Sequence, residues 1–473
     1  MVIENLAIGY NFLKHEEKRY SIDEKFIDEN PDCWKIIKFL SDNPFVTQRE
    51  ICEIFNLSKD ELIEKNKKIR DSDWTHNYII KAGMGSKYWK NTIIPTIQSG
   101  KAKAVLDEKY AYPDRVGLCP GLSCNFFCGF CGRNYSARYE KELGDKGFEM
   151  FKQIIDQTPK GVNKKKVYHI TGGLEPLTFP RIGDLISYGN NAGFDMELQT
   201  NGSFLTSSLI EKQPGIKSLS ILRISLYGID HNSTFEVTKN KKAYDIVKEN
   251  LISYLKLNTK TKVGLNYVIL HKHTKDILKL LDYIEEINIK SNNHIDFLTL
   301  REDFGENAEN ILGDERKGIH KLFQDIQKRL ENKNLNKLHI DYGYALESIR
   351  KNPNSYQEGL KRIPYKQLRS KAFPQIAVMV DPKGDVYVYH EATFLDKAGS
   401  DRYSIGVVDK EHSLEDLITN FVENSNGITD PLPHDVDYLD AFDQVITIFL
   451  NQADDDIKFG IPWSKGPVNI ENN

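Results

Sequence analysis

From about residue 115 onward, short apolar runs alternate with longer stretches whose apolar residues recur at helical spacing. Arg115 to Leu118, Lys166 to Ile170, Asp195 to Thr200, Ile221 to Leu226, Val263 to Leu270 and Ile295 to Leu300 read as strands. Amphipathic segments such as Tyr244 to Lys256 and Thr274 to Ile287 lie between them. Six consecutive strand-helix units predict an α/β chain with a parallel sheet and right-handed crossovers, curling into a partial (β/α)6, TIM-like barrel. In such sheets ligand sites gather at the carboxyl ends of the strands, so the loops after these runs are where chemistry is expected.

The flanks have a different texture. Residues 31 to 70 read as short helices capped at Thr47 and Ser58, with helix-turn-helix-like spacing. Asp60, Glu61 and Glu64 would meet phosphate early in the second helix, which argues against a DNA reader and for a helical buttress. Cys33 and Cys52 fall in these apolar patterns and read as core residues. Beyond 303, Ile319 to Leu330 reads as a helix and Leu338 to Tyr342 as a short strand. Ile376 to Val380 and Val386 to His390 flank Asp-Pro-Lys-Gly as a hairpin, with His390 and Glu391 at its end. The expected organisation is a helical segment over 1–110, a barrel core over 111–303, and an α+β extension over 304–473 that closes the barrel.

Composition narrows the function classes. The chain has 473 residues, 40% of them hydrophobic, enough to bury a sizeable core. Sixty-four basic against 68 acidic residues give a formal net charge of −4, which offers no global electrostatic case for nucleic acid or an anionic membrane. No apolar run approaches the roughly 18 residues that span a bilayer, so a cytoplasmic protein is expected. Six cysteines are too few for a disulfide framework in a chain of this length.

Four of those cysteines crowd together. Cys124, Cys128 and Cys131 lie in Cys-Asn-Phe-Phe-Cys-Gly-Phe-Cys, with Cys119 just before. Structural zinc wants two close pairs separated by a longer excursion, and ferredoxin spacing fails between Cys124 and Cys128. A thioredoxin-like pair at Cys128 and Cys131 needs a different neighbourhood. Three thiolates suit a 4Fe-4S cube with one iron left open.

CxxxCxxC with an aromatic residue, Phe130, before the last cysteine resembles the radical S-adenosylmethionine (radical SAM) superfamily. Thr-Gly-Gly-Leu-Glu-Pro at 171 to 176 is similar to its Gly-Gly-Glu-Pro motif, with Leu174 inserted. Gln-Thr-Asn-Gly at 199 to 202 and Arg-Ile-Ser-Leu-Tyr-Gly at 223 to 228 resemble its third and fourth strand ends. The resemblance implies a 4Fe-4S cluster on Cys124, Cys128 and Cys131. It implies S-adenosylmethionine held near Phe130, Gly172, Gly173, Glu175, Gln199, Asn201 and Ser225, and a flavodoxin- or ferredoxin-type electron donor. The cosubstrate would be cleaved to a 5'-deoxyadenosyl radical that takes a hydrogen atom from substrate. Tyr227, Arg301 and Glu302 are candidate substrate residues, with Asp303 on the same rim; a guanidinium grips carboxylate or phosphate in a fixed fork.

The helical amino-terminal segment, Gly132-Arg133 after the last cysteine, and a tail with no cysteine beyond Cys131 resemble sugar-modifying members. These include a deaminase of a dTDP-linked amino sugar, a paromamine deoxygenase and a cytosylglucuronic acid decarboxylase. A sugar or sugar nucleotide losing amine, water or carboxylate is therefore expected. Alternatives are a peptide-modifying member whose amino-terminal helices hold a leader, and an iron-sulfur sensor using the helix-turn-helix-like segment.

Overall fold

The computed structural model describes residues 24–42, 46–71, 101–129, 131–132, 137–159, 167–269, 276–302, 316–342, 371–395, 397–429 and 438–460. Phe130, Arg133 and Asp303 lie outside the described residues.

Strands β1 (Arg115–Leu118), β2 (Val167–Ile170), β3 (Asp195–Thr200), β4 (Ile221–Leu226), β5 (Lys262–Ile269) and β6 (Phe297–Glu302) stand side by side in sequence order, all parallel. This is the succession of a partial (β/α)6 barrel. Each edge then gains a strand from the carboxyl-terminal part: β7 (His339–Asp341) runs parallel to β6, and β8 (Ala377–Val380) parallel to β1. Two antiparallel strands, β9 (Asp385–Tyr387) and β10 (Ser404–Val407), continue the sheet beyond β8. The expected hairpin is therefore present, and it extends the same sheet that carries β1.

Strand alternation sorts the chemistry onto two faces. Val116, Leu118, Tyr168, Ile170, Met196, Leu198, Leu222, Ile224, Val263, Leu265, Leu298 and Leu300 are buried in one hydrophobic core. Phe148, Phe151, Ile154 and Ile155 from helix Leu143–Gln157, and Val247, Leu251, Tyr254 and Leu255 from Ala243–Lys256, join that core. Each such side chain contributes roughly 1.5–3 kcal/mol on burial. The intervening positions, Arg115, His169, Glu197, Gln199, Arg223, Ser225, Asn266, Thr299 and Arg301, share the opposite face in register.

Element boundaries differ from the sequence reading at β6. The Ile295 N–H is taken by the Asn288 side chain at 2.9 Å, so the ladder starts at Phe297 and runs through Arg301 and Glu302. The reading also did not contain helix Ala441–Phe459. Its first turn is closed by a pair of aspartates: the Asp443 N–H donates to Asp440 at 2.9 Å, and the Asp440 N–H points back at Asp443 at 3.4 Å.

The amino-terminal helices Pro31–Asp42, Gln48–Phe55 and Lys59–Asp71 form a satellite core of Cys33, Ile36, Ile51, Cys52 and Leu62. Thr47 closes a capping box with Glu50, and Ser58 caps the next helix through Glu61. Phe459 packs on this satellite and Arg49 reaches Asp455 at 3.3 Å, so these helices rest on helix Ala441–Phe459. No helix among the described residues is long and apolar enough to cross a membrane.

Candidate functional site

The loop leaving β1 is laced to the loop leaving β2. The Glu175 N–H donates to Ser123 O at 2.9 Å, and the Thr178 hydroxyl accepts from the Leu122 and Ser123 N–H groups at 2.9 and 3.1 Å. Gly121 allows the approach: a Cβ there would lie 2.7 Å from the Leu174 backbone. The Cys131 N–H turns back to Cys128 O at 3.0 Å. Burial first, then the neighbouring Cys128, Cys124 and Cys131 thiols, push the Tyr227 phenol well above its ordinary pKa. All three thiols therefore lie within electrostatic reach of this phenol. The Tyr227 ring meets Phe126 edge-on at 6.1 Å, and its hydroxyl shares a hydrogen bond with Ser225.

Cys119 is separate. It is fully buried, its thiol is pushed up to about 12 by burial, and it is hydrogen-bonded to Thr393. It lies under Gly172, whose φ of +119° and missing side chain permit the contact; a Cβ would sit 2.5 Å from the Cys119 sulfur. Gly173 is pressed equally hard, with a Cβ falling 2.8 Å from Thr393 O.

Glu175 does not project into open space. Its carboxyl accepts from the Thr200 hydroxyl, from the Asn201 N–H at 2.8 Å and from the Leu177 N–H at 3.0 Å. Burial raises its pKa against the pull of those three donors. The side chain thus braces the β2 loop against the end of β3. Asn201 continues the brace: its Nδ2 lies 3.7 Å from the Cys124 sulfur and 3.2 Å from Asn125 Oδ1. Gln199, half-buried on the polar face, makes no side-chain hydrogen bond among the described residues.

Deeper on that face lies a charged group. Glu197 binds Arg223 with one oxygen and stands 3.4 Å from His169 Nδ1 with the other. Burial opposes ionisation of Glu197, yet His169 and Arg223 hold its carboxyl down at about 2. Burial and Arg115 depress His169, so Arg223 carries the ionic part of this contact at neutral pH. The Arg223 guanidinium also lies 4.6 Å from the Phe297 ring centroid.

The carboxyl-terminal tail reaches the same region. After β9 a 3-10 turn, His390–Thr393, brings Thr393 and Phe394 onto Gly173, while Glu391, Phe394 and Lys397 surround Gly132, the residue after Cys131. Burial pushes Glu391 up to about 7 despite Lys397. The His390 backbone N–H and Nδ1 both bind Asp443, each at 2.7 Å. Burial works against Asp440, but His390, then Arg115 and Arg301, keep its pKa below the ordinary value. Arg301 and Asp440 are thereby brought into one electrostatic neighbourhood. Asp440, Asp443 and Lys397 were missed from the sequence. Asp440-x-x-Asp443 ahead of an apolar periodic stretch has the capping-box spacing and could have located them.

Three thiols in the loop at the carboxyl end of β1, in a parallel sheet whose other strand-end loops lie beside it, fit an iron-sulfur cluster with a small cosubstrate. The family model described as the radical SAM superfamily matches residues 118–284. The chain is 36% identical over 393 residues to the dTDP-4-amino-4,6-dideoxy-D-glucose ammonia-lyase of Streptomyces venezuelae, spanning 82% of this chain and 80% of that protein. It is 25% identical over 176 residues to the tungsten-containing aldehyde ferredoxin oxidoreductase cofactor-modifying protein of Pyrococcus furiosus, covering 35% of this chain and 46% of that one. The crystal structure of Streptococcus suis SuiB aligns with 81% of this chain and 75% of its own, at 14% identity and a TM-score of 0.41. Motif, site geometry and the extent of the first of these similarities together make this chain a member of the radical SAM superfamily, an enzyme built around a 4Fe-4S cluster and S-adenosylmethionine.

Proposed function

We propose that this enzyme removes ammonia from an amino sugar carried on a nucleotide. Its strongest support is the 36% identity to an ammonia-lyase acting on such a sugar, which extends over 82% of this chain and so includes more than the barrel core. The net change is redox-neutral: the carbon bearing the hydroxyl becomes a carbonyl, the neighbouring carbon becomes a methylene, and the amine leaves as ammonia.

In this proposal Cys124, Cys128 and Cys131 hold the cluster. The cluster and S-adenosylmethionine, when bound, supply a carbon radical able to take a hydrogen atom. The chain's own groups bind, orient and shield. Backbone around Gly172 and Gly173 meets the methionine end, and Gln199 and Ser225 the ribose hydroxyls. Arg301, at the carboxyl end of β6 and within electrostatic reach of Asp440, grips the substrate's charged end. Tyr227 and Glu302 stay candidate substrate contacts. Glu391, Thr393, Phe394 and Lys397 lie against Gly132 and Gly173 and help exclude water from the reacting carbon. A flavodoxin- or ferredoxin-type protein would deliver the electron.

The test is anaerobic incubation of reconstituted enzyme with reductant, S-adenosylmethionine and dTDP-4-amino-4,6-dideoxy-D-glucose. Ammonia and 5'-deoxyadenosine are expected to rise above the substrate-free background. No substrate-dependent rise in either would refute the substrate while leaving family membership intact.

A further inference from the structure

We propose that the side-chain amide of Asn201 is a fixed hydrogen-bond donor to the Cys124 sulfur, and that it raises the reduction potential of the cluster which that sulfur helps to hold. This rests on Cys124 being a cluster ligand, as proposed above. It assigns Asn201 to the cluster itself, whereas the strand-end motif by itself suggests only contact with the cosubstrate.

The orientation of the amide follows from its partners. Asn201 Oδ1 lies 2.9 Å from the Ser203 backbone N–H and 2.6 Å from the Ser203 hydroxyl. A backbone N–H only donates, so the atom facing it is the carbonyl oxygen and the NH2 is turned the other way. That leaves the NH2 pointing at Asn125 Oδ1, 3.2 Å away, and at the Cys124 sulfur, 3.7 Å away. Asn125 Oδ1 also lies 3.0 Å from the Ser203 hydroxyl, whose one proton is shared between the two amide oxygens with the shorter contact on Asn201. The Asn201 main chain is held by its N–H on the buried Glu175 carboxyl at 2.8 Å. The residue is only 6% exposed, so little solvent reaches the contact.

A donor placed this way acts more strongly on the more negative sulfur. Adding one electron to the cluster increases the charge on its thiolates without breaking a bond. An N–H aimed at one of them therefore favours the reduced form. Ser203, Asn125 and Glu175 act through Asn201 as positioning residues. The brace between β2 and β3 thus has an electronic role as well as a mechanical one.

The test is an anaerobic, EPR-monitored redox titration of the reconstituted full chain, without S-adenosylmethionine, using a low-potential one-electron chemical reductant. Asn201→Ala is expected to keep its iron and sulfide content and to lose about threefold to tenfold in the reduction equilibrium. That corresponds to a midpoint about 28–59 mV more negative at 59 mV per decade. Asn201→Asp, which replaces the donor by a carboxyl, should fall further. Ser203→Ala, which leaves Asn201 in place but loosens its amide, should shift less in the same direction and serves if the Asn201 variants do not assemble a cluster. A fully loaded Asn201→Ala with the wild-type midpoint overturns the proposal. The same midpoint with weakened S-adenosylmethionine binding would assign Asn201 to the cosubstrate instead. Cys124→Ala with wild-type iron content would separately overturn the ligand assignment.

Discussion

Glu197 and Arg223 form an ion pair midway along the polar face of the sheet, at a depth where Glu197 is only 9% exposed. Removing one partner of such a pair leaves the other charge buried and unmatched, which costs about 3–5 kcal/mol. Glu197→Ala should therefore lower the thermal unfolding midpoint by several degrees even with the thiol loop untouched. The pH dependence has a definite sign. A carboxyl held at about 2 in the folded chain contributes stability above its unfolded value of 4.5 and loses it as the pH falls toward 2. Unfolding curves from neutral to acid pH should show a shallower acid loss in Glu197→Gln than in wild type.

The four clustered cysteines should separate cleanly. Cys124→Ala, Cys128→Ala and Cys131→Ala are each expected to abolish the cluster's visible absorbance after reconstitution. Cys119→Ala should retain wild-type iron and sulfide content, because its thiol is fully buried, neutral and occupied with Thr393.

Gly172→Ala should damage the cosubstrate site. Its φ of +119° costs a side chain about 1–3 kcal/mol, and the new Cβ would strike the Cys119 sulfur. Equilibrium binding of S-adenosylmethionine to the loaded protein is expected to weaken by at least about tenfold, or about 1.4 kcal/mol.

Asp443 should make stability fall on the alkaline side. Burial alone would depress His390, but Asp443 and Asp440 outweigh it, against Arg115, and raise the imidazole above its ordinary 6.5. A raised histidine contributes stability that is complete below its unfolded value and is lost as the pH climbs through the folded one. Thermal midpoints across about pH 6 to 8 should decline in wild type and stay flatter in Asp443→Asn.

Arg301→Ala should separate binding from cluster chemistry. The cluster spectrum and substrate-free 5'-deoxyadenosine formation are expected to stay near wild type, while kcat/KM for the nucleotide sugar falls by about tenfold to a hundredfold. An unchanged kcat/KM would remove Arg301 from the substrate site.

Much of this was legible in the sequence because it is local. Strand runs set the order of β1 to β6, and the Cys, Gly-Gly and strand-end motifs each follow a strand, so their placement at one end of the sheet came directly from topology. The caps at Thr47 and Ser58 were readable for the same reason. What escaped depended on distance along the chain. Nothing near Glu175 announces that its carboxyl is occupied by Thr200 and Asn201. Nothing near Gly132 announces Glu391 and Lys397. Residue 295 was read as strand because isoleucine favours one, while the Asn288 amide that diverts its N–H lies seven residues upstream. Strand alternation puts Glu197, Gln199 and Asn201 on one face, but the pairing of Glu197 with Arg223 comes from the next strand.

β8 lies directly against β1, and just beneath them Gln375 donates to Lys109 O across 266 residues of chain. During synthesis the thiol loop after β1 therefore emerges well before the strand beside it and the segment that covers Gly132. Barrel strands β1 to β6 pair with immediate successors and can assemble as they appear, whereas the β1–β8 ladder must wait for a long loop to close. In the nascent chain the residues that pack around Gly132 therefore join the site only after the barrel strands have had time to pair.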